Sequence, residues 1–82
     1  MSRETRRAHR EAWIAEQIQA SSYFTAVMFL GYPEGYDRRE ATSLEEARNI
    51  REQMMREYEG TNYGRGVMIY AVTPNGLSVH VE

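Results

Sequence analysis

The sequence predicts an α+β fold in αββαββ order, closing a four-stranded antiparallel sheet with helix packed on one face. Three observations lead there. Apolar residues recur at helical spacing over residues 3–20 and 44–59. Stretches rich in β-branched and aromatic residues follow, at 23–30 and then at 67–72 and 77–82. Each half also carries a Pro-X-Gly turn, Pro33-Glu34-Gly35 and Pro74-Asn75-Gly76.

In the first helix Ala8, Ala12, Ala15 and Ile18 form a stripe that Trp13 and Ile14 widen. Its start runs against helix chemistry. Arginines stand where the helix dipole favours acids, and Arg3/Arg7 and Arg6/Arg10 are like-charged pairs four apart. Residues 1–10 are therefore expected to form a basic, partly frayed arm. Residues 23–30 are apolar on both faces, as a central strand would be, with helix on one side and room for a partner on the other. After the Tyr32-Pro33-Glu34-Gly35 turn, Tyr36 to Ala41 is charged enough for an edge strand or a solvated loop.

The second helix has the clearest signals. Ser43 with Glu46 makes a capping box, and Thr42 with Glu45 offers a competing one. Leu44, Ala47, Ile50, Met54 and Tyr58 share one stripe, and Gly60 supplies the stop. After a glycine-rich connection, Val67, Ile69 and Ala71 alternate with Met68, Tyr70 and Val72. Thr73-Pro74-Asn75-Gly76 is a type I turn with Gly placed for a bulge. Leu77, Val79 and Val81 then alternate with Ser78, His80 and Glu82. The halves share letters as well as order: Val27-Met28-Phe29 is matched by Val67-Met68-Ile69, which suggests a duplicated αββ unit, although chance or convergent αββ physics explains it as well.

The 82 residues make one expected domain. A chain of this size buries only about 60% of its unfolded surface, so a partner or second copy would add stability. There is no cysteine, hence no disulfide framework and no thiolate metal site. No apolar run is long enough to span a bilayer, and no apolar signal core follows the basic start, so a cytoplasmic, intracellular protein is expected. Charge is unevenly placed. Residues 1–10 hold four Arg against Glu4, a net of +3; the rest holds six Arg against eleven acids, a net of −5; together they give the −2 of the whole. All ten basic residues are Arg, which suits phosphate and interface contacts, although a coding bias explains it as well.

Chemistry has little to stand on. His9 and His80 have no second His or Cys at ligand spacing, so neither a metal nor another cofactor is expected. Ser78, His80 and Glu82 would share one strand face, but such neighbours point outward in parallel and do not converge on a substrate atom. Gly64-Arg65-Gly66 lacks the Lys-Ser/Thr of a phosphate loop and leads into a strand. Glu45 and Glu46 are accounted for by capping. The expectation is a binding protein, not an enzyme, with no small-molecule substrate and no membrane.

Three groups are candidates for the binding. Tyr32, Tyr36 and Tyr63 fall in or beside turns near Arg38, Arg39 and Arg65, and Tyr and Arg are the residues most enriched at hot spots. The bland alternative, of equal weight, is that tyrosines close the ends of a small core with their hydroxyls in water. Glu45, Glu52 and Glu59 lie at sevens along the second helix and would imitate a phosphate backbone, though Arg48, Arg51 and Arg56 interrupt the row and charged outer faces usually serve solubility. Arg3, Arg6, Arg7 and Arg10 would contact nucleic acid directly.

The C-terminal half, from Ala41-Thr42-Ser43-Leu44-Glu45-Glu46-Ala47-Arg48 through Gly66-Val67-Met68-Ile69-Tyr70-Ala71-Val72 to the hairpin, resembles small proteins of alphaproteobacteria and their prophages. In size and make-up the chain also resembles phage-encoded anti-CRISPR inhibitors, which share no motif that would transfer a site residue. That resemblance implies a mode of action: docking on a host CRISPR surveillance complex and blocking target-DNA recognition. The alternatives are a nucleic-acid-binding accessory protein using the Arg arm, and a homodimeric structural module.

Overall fold

The computed structural model describes residues 3–62 and 66–82, with only the backbone of Arg3. Tyr63 and Arg65, two of the candidate partner contacts, lie outside the described residues. The elements follow the expected order: α1 (Arg3–Ala20), β1 (Tyr23–Gly31), β2 (Gly35–Ala41), α2 (Leu44–Glu57), β3 (Met68–Val72) and β4 (Ser78–His80). They form an α+β fold with one antiparallel sheet in the order β2-β1-β3-β4. β1 and β3 are the central pair, and each carries its own hairpin partner outward, so the two αββ halves occupy equivalent places in the sheet.

Their helices do not. α2 lies across the sheet and buries Ala47 and Met54. The core forms two patches beneath it: Phe24, Ala41, Ala47, Ile69 and Ala71, and beside them Ala26, Met28 and Met54, with Ile50 bridging the two. α1 touches this core only near its C-terminal end, through Ile18. The expected apolar stripe of α1 therefore stays largely uncovered: Ala8, Ala12 and Ala15 are exposed, and Trp13 is 47% exposed. The stretch read as a frayed arm is helical from Arg3 onward and stands clear of the body. The Cα radius of gyration is 14.3 Å and the longest extent 42 Å, against the roughly 12 Å radius expected of a compact chain this long.

Local chemistry explains where α2 begins and ends. Ser43 caps it, its Oγ accepting the Glu46 amide at 3.1 Å, so the Ser43–Glu46 box prevails over the Thr42–Glu45 one. The Glu46 carboxylate reaches back one residue further than a standard box, accepting from the Thr42 hydroxyl at 2.5 Å and its amide at 3.4 Å. At the far end the helix stops at Glu57, two residues short of expectation. Tyr58 leaves helical geometry and donates its hydroxyl to Asp37 of β2 at 2.7 Å, and Gly60 follows at φ +79°.

The β3–β4 hairpin closes as its sequence predicts. Gly76 N–H donates to Thr73 O at 2.9 Å, Thr73 N–H donates to Leu77 O at 3.0 Å, and Gly76 takes φ +85°. Only glycine adopts that value without strain, and it turns a type I turn into a bulged hairpin loop.

Candidate docking surface

Strand alternation divides every residue of the sheet between two faces. On β1, Phe24, Ala26 and Met28 turn to α2, whereas Thr25, Val27 and Phe29 turn away from it. The register carries the division across the sheet. Phe29 pairs with Tyr36, Val27 with Arg38 and Thr25 with Glu40 on β2. Thr25 pairs with Tyr70 and Val27 with Met68 on β3, and Tyr70 pairs with His80 on β4. No described element covers this second face.

The open face is unusually apolar for a surface in water. Phe29 is 46% exposed, Tyr36 65% and Met68 41%. Two ring pairs organise it. Phe29 and Tyr36 meet with centroids 5.1 Å apart at 50°, and Tyr70 and His80 at 5.4 Å and 46°. Such tilted cross-strand pairs are favourable beyond the area they bury. Between them lies a shallow depression of about 350 Å³ lined by Thr25, Val27, Tyr36, Arg38, Tyr70 and Ser78. Arg38 is held loosely at its rim by Glu40 at 3.5 Å, in a half-exposed pair. Tyr32 sits in the β1–β2 turn and is almost fully exposed.

Of the residues read as partner contacts, Tyr36 and Arg38 thus share this face. Arg39 does not. As the next residue on β2 it points to the α2 side, where it donates to Asp37 from Nε at 3.1 Å and Nη2 at 3.0 Å, and to Glu57 at 2.5 Å. Tyr58 closes the cluster through its hydroxyl on Asp37. These bonds, those from Arg39 first, hold the Asp37 carboxyl below its usual range. Arg39 holds Glu57 low as well, and Asp37 pushes the Tyr58 phenol up. Arg39 is a structural clasp between the edge strand and the end of α2.

The acidic row is also redistributed. Glu45 and Glu52 are exposed on α2, but Glu59 lies past the end of the helix and so leaves the row. Arg48 and Arg51 do not merely interrupt it. Both hold Glu82, Arg48 through Nε at 2.9 Å with a further bond from Nη2, and Arg51 through Nη1 at 3.1 Å. Arg48 above all lowers the Glu82 carboxyl. Glu82 was expected on the face of Ser78 and His80. It reaches α2 instead because Val81 and Glu82 both donate to Ile69 O, a bulge that shifts the side-chain alternation by one. His80 Nε2 is left 2.9 Å from the Glu82 carbonyl oxygen, and no Ser-His-Glu relay forms.

Phe29 and Met68, not among the residues singled out from the sequence, are exposed on this face, and Tyr70 is half-buried there. The signal was present in the two-sided apolar pattern of residues 23–30, which one layer of helix cannot cover. Among the described residues no three His, Asp or Glu side chains gather to hold a metal ion, and no helix is long and apolar enough to cross a membrane. Comparison of the chain with protein-family models, with curated proteins and with solved structures finds no match.

Proposed function

We propose that the chain is a non-catalytic binding protein that docks through the open face of its sheet onto a larger host protein or nucleoprotein assembly. The observation that carries this reading is the uncovered apolar face itself: Phe29, Tyr36 and Met68 exposed around a depression, with Arg38 at its rim. Aromatic residues, methionine and arginine around a recess are the make-up of an interface centre, where a partner side chain fills the recess and the ring of contacts excludes water. The charged pair Arg38–Glu40 at the edge supplies register more than affinity. In its most specific form the reading is the anti-CRISPR type, in which the assembly is a surveillance complex whose access to target DNA is blocked.

The test is affinity capture from an alphaproteobacterial lysate, comparing the wild-type chain with a Tyr36→Ala/Tyr70→Ala variant and a Glu45→Lys/Glu52→Lys variant. Recovery of a nucleic-acid-handling complex by the wild type and the α2 variant, but not by the face variant, supports the reading. Recovery lost only on charge reversal of α2 would move the site to the acidic helix. The same open face also suits a second copy of the chain, the homodimeric reading. Light scattering over a concentration series separates that case, since a dimer closed on this face would be lost in the Tyr36→Ala/Tyr70→Ala variant.

A further inference from the structure

The exposed N-terminal half of α1 runs against the local rules of helix stability. At about 100° per residue, Arg6, Arg7 and Arg10 fall within an arc of roughly 100° on one side of the helix. They crowd the end where the helix dipole is already positive. Like charges three and four apart each destabilise a helix. Glu4 in the first turn and the Arg7–Glu11 pair at 3.3 Å offset part of this, but both are in solvent and worth little. Every described side chain from Glu4 to Trp13 is exposed, so packing offers no reason for the stripe either. A conflict of this kind, only weakly offset among the described residues, points to a function.

We propose that α1 is a DNA-binding helix that lays its arginine stripe along the phosphate backbone of duplex DNA. The site is separate from the open sheet face. From Arg6 to Arg10 the stripe rises about 6 Å, an axial length over which each strand of a duplex presents about two phosphates. The whole helix is about 27 Å long and, with side chains, about 10–12 Å wide, and the major groove of B-DNA admits an element of that width. The opposite side of α1 carries Ala8, Ala12 and Ala15, small enough not to obstruct entry and too small to anchor the helix in lipid. Trp13 borders the stripe one turn past Arg10, the place for a flat contact against a sugar or base edge. Residues 21–82, the body beyond α1, hold six Arg against nine acids, a net of −3, and are repelled by the duplex, which fits a binding element that stands clear of them. The deep, narrow major groove of duplex RNA excludes a helix, which selects DNA.

Fluorescence anisotropy of a mixed-sequence duplex of about 20 base pairs, titrated with the full chain from about 25 to 200 mM salt, tests this. The expected log–log salt slope is about −3, one phosphate for each of Arg6, Arg7 and Arg10. The Arg6→Gln/Arg7→Gln/Arg10→Gln variant should retain its circular dichroism while the slope shrinks to about −1 and low-salt affinity falls at least tenfold. Lysine at the same three positions should restore the slope, and Tyr36→Ala/Arg38→Ala should leave it unchanged. The proposal is overturned by no anisotropy change at the lowest salt, or by a slope that the glutamine variant leaves intact. Equal or tighter binding to duplex RNA, or to phosphatidylserine vesicles, would overturn it as well.

Discussion

Arg39 grips Asp37, two residues back on the same strand, with two parallel hydrogen bonds of 3.1 and 3.0 Å, while Arg38 between them faces the other side of the sheet. One step along the chain thus separates a residue that holds the fold together from one exposed on the open face. Edge strands are commonly protected by charges turned inward, and here the inward pair also ties the strand to the end of α2.

Neighbouring substitutions should therefore differ in kind. Asp37→Asn is expected to lower unfolding free energy by about 1–2 kcal/mol, because a charge-assisted fork and a tyrosine bond weaken together. Arg38→Ala should stay within about 0.5 kcal/mol of wild type. Urea denaturation of both variants measures the contrast. Equal losses would mean that the clasp is not structural.

The carboxylates Asp37, Glu57 and Glu82 are all held below their ordinary values by arginine, Arg39 for the first two and Arg48 for the third. The unfolded chain binds these protons more readily than the folded one. Their stabilisation is complete above about pH 5 and is lost as pH falls through about 4 and below. Denaturation midpoints measured from pH 7 to 3 should drop steeply below about pH 4, and less steeply in Asp37→Asn.

The alternation on β3 gives a second adjacent pair. Ile69 is fully buried against α2, whereas Met68 is 41% exposed on the open face. Ile69→Ala should cost about 2–5 kcal/mol and Met68→Ala less than about 1 kcal/mol. Calorimetry of both variants would show it. Partner capture should be affected in the opposite order.

Gly76 at φ +85° closes the terminal hairpin. Gly76→Ala meets no atom within 4 Å, so its cost is conformational alone, about 1–2 kcal/mol. Thermal unfolding measures it. A neutral result would mean that the turn relaxes to another type.

Much of the fold was legible because local and global signals agree in it. The Ser43 cap and the Thr73-Pro74-Asn75-Gly76 turn each act within a few residues, where sequence and geometry map directly, whereas α2 ends two residues before the stop expected at Gly60. The placement of α1 was not legible. Its alanine stripe has helical period, but the sheet offers it contact only near Ile18, and period says nothing about which surface an element finds. The candidate face was half legible. Tyr36 and Arg38 share the open face while Arg39 turns to the other, a division that composition does not show because it ignores the alternation that separates neighbours on a strand. Glu82 was assigned to the wrong face for a related reason: the bulge at Val81 leaves no mark in the residue types around it.

The central claim is that the open sheet face is the docking surface. Its most direct test is the fraction of a host nucleoprotein complex retained by immobilised wild-type chain and by the Tyr36→Ala/Tyr70→Ala variant, both verified as folded. The account predicts at least a tenfold loss of retention in the variant, equivalent to about 1.4 kcal/mol or more, with the Glu45→Lys/Glu52→Lys chain retaining the complex as wild type does. Undiminished retention by the face variant, with loss on charge reversal of α2, would contradict it.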